Sequence, residues 1–157
     1  MNFRLAGLIA ALVAIAALGF AYFAEYGLHL LPCALCLWER WPYRITILLG
    51  GLALLFGGRL ARGLVALAGL VMLGDVAIAG LHVGVEFGWW KSPLPECNGI
   101  LTPGAALPLT PAVPCDRPVH LISGVPMSMA QMDFCGAIIF TALLCYMAAQ
   151  QPRRRRA

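Results

Sequence analysis

Four long apolar runs organise the chain, each close to the roughly 20 residues that a helix needs to cross a bilayer. The first extends from about Leu5 to Ala24 without a charge, and the second from about Trp38 to Phe56 with its polar residues confined to the start. The third covers about Gly63 to His82 and the fourth about Ala130 to Ala149. The pattern predicts an all-α membrane protein, a bundle of four transmembrane helices forming one integral-membrane domain over residues 1–157. Pro42 is placed near the start of the second helix, where a missing N–H is harmless because the first four N–H groups have no intrahelical partner. The first run is too long for a signal-peptide core and lacks a clean small-residue cleavage site before Glu25, so it is read as a retained helix.

Basic residues orient the bundle, since they concentrate on the cytoplasmic side. With both termini cytoplasmic, Arg4, Arg59, Arg62 and Arg153 to Arg156 lie inside, against Arg40, Arg44, Lys91 and Arg117 outside. Residues 57–63 then form a tight inner turn, and two periplasmic loops follow, about 25–37 and 83–129. The second loop holds eight of the eleven prolines. Irregular loops of that length are usually functional or mobile. Its last part, residues 120–134, mixes apolar and small polar residues and suits the membrane surface.

Composition agrees with this picture. Apolar residues make up 61% of the chain and charged residues 11%, against about 25% charged in a soluble domain. The net charge of +4 owes much to the arginine tail, which reads as a topology signal and not as a nucleic-acid site.

The six cysteines carry the chemistry. Cys33 and Cys36 form a C-x-x-C in the first outer loop, and Cys97 and Cys115 lie 18 apart in the second. All four share the side where disulfides persist. A C-x-x-C at a helix start suits exchange chemistry, because the positive helix end and a cation one turn on, Arg40, favour the thiolate. A static staple and a zinc site built from all four cysteines are the other readings, and no metal is expected. Cys97 and Cys115 taken alone read more readily as a staple, worth about 3 kcal/mol in the chain-entropy model. Two outward pairs together can instead pass a disulfide by thiolate attack. Cys135 and Cys145, about 15 Å apart along the fourth helix, are expected to be small apolar core residues.

These residues resemble the disulfide bond formation protein B family, DsbB. "PCALCLWER" is similar to the family's P-C-x-L-C-x-x-[QE]-R, and "VPCDRPVHLISGVPMSMAQ" to its segment leading into the last helix. The resemblance covers nearly the whole chain. It implies a quinone-dependent protein-disulfide oxidoreductase of the bacterial inner membrane, with ubiquinone or menaquinone as acceptor and a DsbA-like periplasmic thiol oxidase as partner. Cys33 and Cys36 match the pair reoxidised by quinone, with Cys36 facing the ring and Arg40 beside it. Cys97 matches the thiol that forms a mixed disulfide with the partner, and Cys115 the one that exchanges with Cys33. Glu39 stands where many members have glutamine and receives no role. Some relatives have a similar H-x-G-x-E turn, so His82 is a candidate to line the quinone pocket, against a plain interfacial histidine beside Trp89 and Trp90.

Asp75 is an acid in the middle of an apolar run, and is expected to be hydrogen-bonded between helices in preference to carrying protons. His29 and His120 read as ordinary loop residues. A quinone-linked oxidase dedicated to one substrate, a vitamin K epoxide reductase-like protein and a non-enzymatic membrane protein with structural disulfides are the alternatives.

Overall fold

The computed structural model describes residues 2–98, 113–121 and 126–150. The arginine tail and two pieces of the second long loop, 99–112 and 122–125, lie outside the described residues. Four helices run α1 (Phe3–Tyr22), α2 (Ala34–Phe56), α3 (Gly58–Glu86) and α4 (Met129–Ala149). A π-helical turn, Phe23–Gly27, extends α1, and a short 3-10 turn, Pro95–Asn98, carries Cys97. No strand occurs among the described residues.

Each boundary has a local cause. The Asn2 side chain accepts from Arg4 N at the start of α1. Gly57 lies at φ 69° and Gly58 at φ 62°, a left-handed region open to glycine, so the α2–α3 turn closes on this pair alone. Of the inner turn expected over 57–63, all but Gly57 is therefore already helix. Ser128 and Gln131 form a reciprocal capping box on α4, satisfying two otherwise orphaned N–H groups. At the far end of α4, Arg62 Nε donates to Ala148 O at 2.8 Å.

Two expectations are corrected. α2 begins at Ala34, four residues earlier than the apolar run suggests. Pro42 thus lies two turns inside the helix and deprives the Trp38 carbonyl of its helical donor. Cys135 and Cys145 are exposed and not core residues; both sit on the outer face of α4.

By length and apolar character, Phe3–Gly27, Gly58–Glu86 and Met129–Ala149 can cross a membrane. α2 is long enough at 23 residues but carries Glu39, Arg40 and Arg44. Large apolar side chains point outward all along the bundle: Leu48, Leu55, Leu70 and Ile139 are each 66–70% exposed. Such a surface belongs in lipid.

Inside, small residues set the packing. α1 lies on α2, α2 on α3, and α3 on α4. Lipid gives helices no hydrophobic drive to associate, so close backbone approach by Gly and Ala supplies the contact. A Cβ placed on Gly50 would sit 2.7 Å from Gly7 O and 2.9 Å from Ala11 N. Gly50→Val is accordingly expected to destabilise the α1–α2 seam by about 1–3 kcal/mol. Gly51, with nothing within 4 Å of a Cβ, should accept alanine. Thermal midpoints in detergent compare the two, and equal midpoints would contradict this seam.

Candidate redox site

The end of the bundle opposite Gly57 brings the candidate residues together. Cys33 is the N-cap of α2: its Sγ accepts from Cys36 N at 3.3 Å. The two sulfurs are 2.8 Å apart as free thiols. Cys33 is buried and Cys36 half-buried. Hydrogen bonding from the Cys36 thiol, helped by its backbone N–H and opposed by burial, holds the Cys33 thiol below its ordinary pKa. Cys33 is therefore the member of the pair poised for thiolate chemistry.

His82 closes the pair from α3. Its Nε2 lies 3.6 Å from Cys33 Sγ, and its Nδ1 lies 2.8 Å from Glu39 Oε1. Cys33 Sγ, Cys36 Sγ and His82 Nε2 all fall within 4.8 Å of one another. Both Glu39 and His82 are buried. A carboxylate at Glu39 accepts the Nδ1 proton, which leaves Nε2 as the basic nitrogen facing sulfur. His82 does not end its helix as expected; α3 continues to Glu86, so His82 sits a turn inside, against the thiols.

Arg40 is buried one turn beyond Cys36. Its Nη1 bonds Glu25 Oε2 at 2.5 Å, and its guanidinium lies 4.9 Å from the centre of the Tyr22 ring. Its Nε has no hydrogen-bond partner. An arginine snorkelling to headgroups would be exposed; this one is fixed on the inside of the bundle.

Cys97 and Cys115 form a disulfide, with Cα atoms 4.9 Å apart. Cys33, Cys97 and Cys115 belong to one buried cluster with Leu35 and Val85. The four-cysteine zinc site is thus not formed, because two of its thiols are bonded to each other.

A cavity of about 280 Å³ opens beside this cluster. Cys36, Arg40, His82, Tyr43 and Asp133 line it, with apolar walls from α1 such as Leu18. Tyr43 Oη donates to Asp133 Oδ1 at 2.9 Å, and Asp133 Oδ2 has no partner. Asp75 is fully buried, and neither of its oxygens makes a hydrogen bond. The hydrogen bond between helices expected of it is not made.

Glu25, Tyr43, Glu86 and Asp133 escaped the sequence reading, and Glu39 was assigned nothing. Glu86 receives the Ser128 hydroxyl at 2.5 Å and so ties α3 to the start of α4. The one signal available was that acids bordering or inside an apolar run need partners.

The model of the disulfide bond formation protein DsbB family matches residues 3–149. The chain belongs to the DsbB family. It is also similar to the uncharacterized protein RP370 of Rickettsia prowazekii (strain Madrid E), 27% identical over 155 residues, with 88% of this chain and 89% of the relative covered. No solved structure matches. As a DsbB-family member, the protein is a membrane disulfide oxidoreductase. For that chemistry the neighbourhood is suited: one thiol pair and one disulfide share a buried cluster beside a largely apolar cavity.

Proposed function

We propose that the protein generates disulfides with a lipid-soluble quinone, ubiquinone or menaquinone, as electron acceptor. It passes them to a DsbA-like periplasmic thiol oxidase. The observation that carries this reading is that the Cys97–Cys115 disulfide shares one buried cluster with Cys33, while Cys33 and Cys36 both line the cavity.

The cavity fits a quinone ring on two counts. Its walls are mostly apolar, and two of the residues that line it, Arg40 and Asp133, each hold a buried polar atom, Nε and Oδ2, without a protein partner. When bound, a quinone takes up two electrons and two protons, the equivalents released when two thiols become a disulfide. Residues of this chain do the rest. Cys97 accepts attack by the partner's thiolate, Cys115 leaves and attacks Cys33 of the oxidised Cys33–Cys36 pair, and Cys36 leaves as the sulfur on the cavity wall. Arg40, held by Glu25, offers positive charge where negative charge develops on a ring oxygen. His82 takes the thiol proton at Nε2.

In this reading α2 is the fourth transmembrane helix, both termini are cytoplasmic, and the four reactive cysteines face the periplasm of a bacterial inner membrane. Its polar start supports a position at the interface, as do the exposed Trp38, Trp41, Trp89 and Trp90 at the same end, where an aromatic belt belongs.

Purified protein given a reduced thioredoxin-fold oxidase should consume one ubiquinone per disulfide formed. A partner lacking its second cysteine should be trapped through Cys97. Absence of quinone consumption refutes the acceptor, and trapping solely through Cys115 reverses the direction of relay.

A further inference from the structure

We propose that Asp133, held in place by Tyr43, is the hydrogen-bond partner of the second oxygen of the bound para-quinone, the one turned away from Arg40. The assignment rests on the quinone reading above and adds a residue to it.

Three observations meet at Asp133. It lines the same cavity as Cys36 and Arg40. The Tyr43 hydroxyl fixes Oδ1 at 2.9 Å. Oδ2 is buried without a partner, and a buried polar oxygen left unpaired inside a membrane helix is costly enough to suggest a ligand.

Spacing gives the ring its direction. Arg40 and Tyr43 are three residues apart on α2, about 4.5 Å along the axis. Arg40 and the Tyr43–Asp133 pair therefore line the cavity at two depths, Arg40 toward the thiols and Asp133 further in. Asp75 makes the contrast. It too is unpartnered, yet it does not line the cavity, so nothing connects it to a ligand.

Chemistry separates the two ends. Arg40 can only donate, which suits an oxygen gaining negative charge. Asp133 Oδ2 can accept from the hydroxyl that the second oxygen becomes on reduction, and so favours the reduced ring. An asparagine at 133 would keep an accepting oxygen, whereas leucine would remove it at similar volume. Tyr43→Phe would release Oδ1 while leaving Oδ2 in the cavity, so its effect should be intermediate.

The test uses full-length protein in detergent with reduced partner oxidase and ubiquinone. Asp133→Leu should lower kcat/KM for quinone by about tenfold or more, the size of one lost hydrogen bond to a charged group. Asp133→Asn should stay within about threefold of wild type. Disulfide exchange between partner and Cys97–Cys115, measured without quinone, should be unchanged in every variant. Asp133→Ala serves as the second deletion should Asp133→Leu not fold. The assignment is overturned if deletion leaves quinone kinetics untouched, or if it slows the quinone-free exchange equally, since the role is then structural. Wild-type protein that reduces no quinone removes the underlying reading, and the assignment with it; an active wild type with an unaffected deletion removes the assignment alone.

Discussion

Cys36→Ser is expected to bring quinone reduction down to the uncatalysed level while the Cys97–Cys115 disulfide and the helix content survive. Cys36 lines the cavity beside Cys33, and it is the less buried thiol of the pair. Serine keeps its size, so stability should change by no more than about 1 kcal/mol. A structural staple would behave in the opposite way, with stability lost and no turnover to lose. Turnover by the Cys36→Ser protein would remove Cys36 from the reaction.

A second consequence concerns Cys33. The Cys36 thiol is the largest cause that lowers the Cys33 pKa. Thiolate at Cys33 therefore prevails above that lowered pKa and is lost as pH falls through it. Cys36→Ala removes this hydrogen bond, so the alkylation profile of Cys33 should move to higher pH, toward the ordinary thiol value of about 8.5. A profile that stays in place would mean that the remaining backbone N–H of residue 36 carries the effect.

Much of the fold was legible because hydrophobicity and length are local properties. The cores of α1, α3 and α4 follow from long, mainly apolar runs. α2 was misplaced at its start because its cap is a cysteine, a residue without the usual N-cap signature. Ala34 to Leu37 are apolar but too few to announce a helix start ahead of the polar Glu39, Arg40 and Arg44, and Glu39 and Arg40 turn inward to find His82 and Glu25.

The thiols and Arg40 could be singled out from C-x-x-C spacing and resemblance. The pairings could not. Glu25 meets Arg40 across 15 residues, Glu39 meets His82 across 43, and Tyr43 meets Asp133 across 90. No periodicity encodes such meetings; they exist only once α1 to α4 are packed. The outward position of Cys135 and Cys145 was missed for a related reason. Nearly every residue of α4 is apolar, so composition does not tell its lipid face from its core face.

Glu39→Gln is expected to slow the relay by roughly 10²-fold, although it removes no sulfur and keeps the side-chain volume. Glu39 Oε1 fixes His82 with the proton on Nδ1, so that Nε2 faces Cys33 as a base. An amide at position 39 can turn its NH2 toward Nδ1 and stabilise the other tautomer, in which Nε2 carries hydrogen and cannot take the thiol proton. His82→Ala should cost about as much. The double variant should cost little more than either alone, because residues acting as one unit are not additive. Rapid-mixing measurements of Cys33–Cys115 exchange supply the cycle, with thermal midpoints alongside. A Glu39→Gln protein that exchanges at the wild-type rate would reduce Glu39 to a packing role. Fully additive losses would show instead that Glu39 and His82 act on separate steps, with Glu39 affecting the thiols by its charge and His82 by its proton.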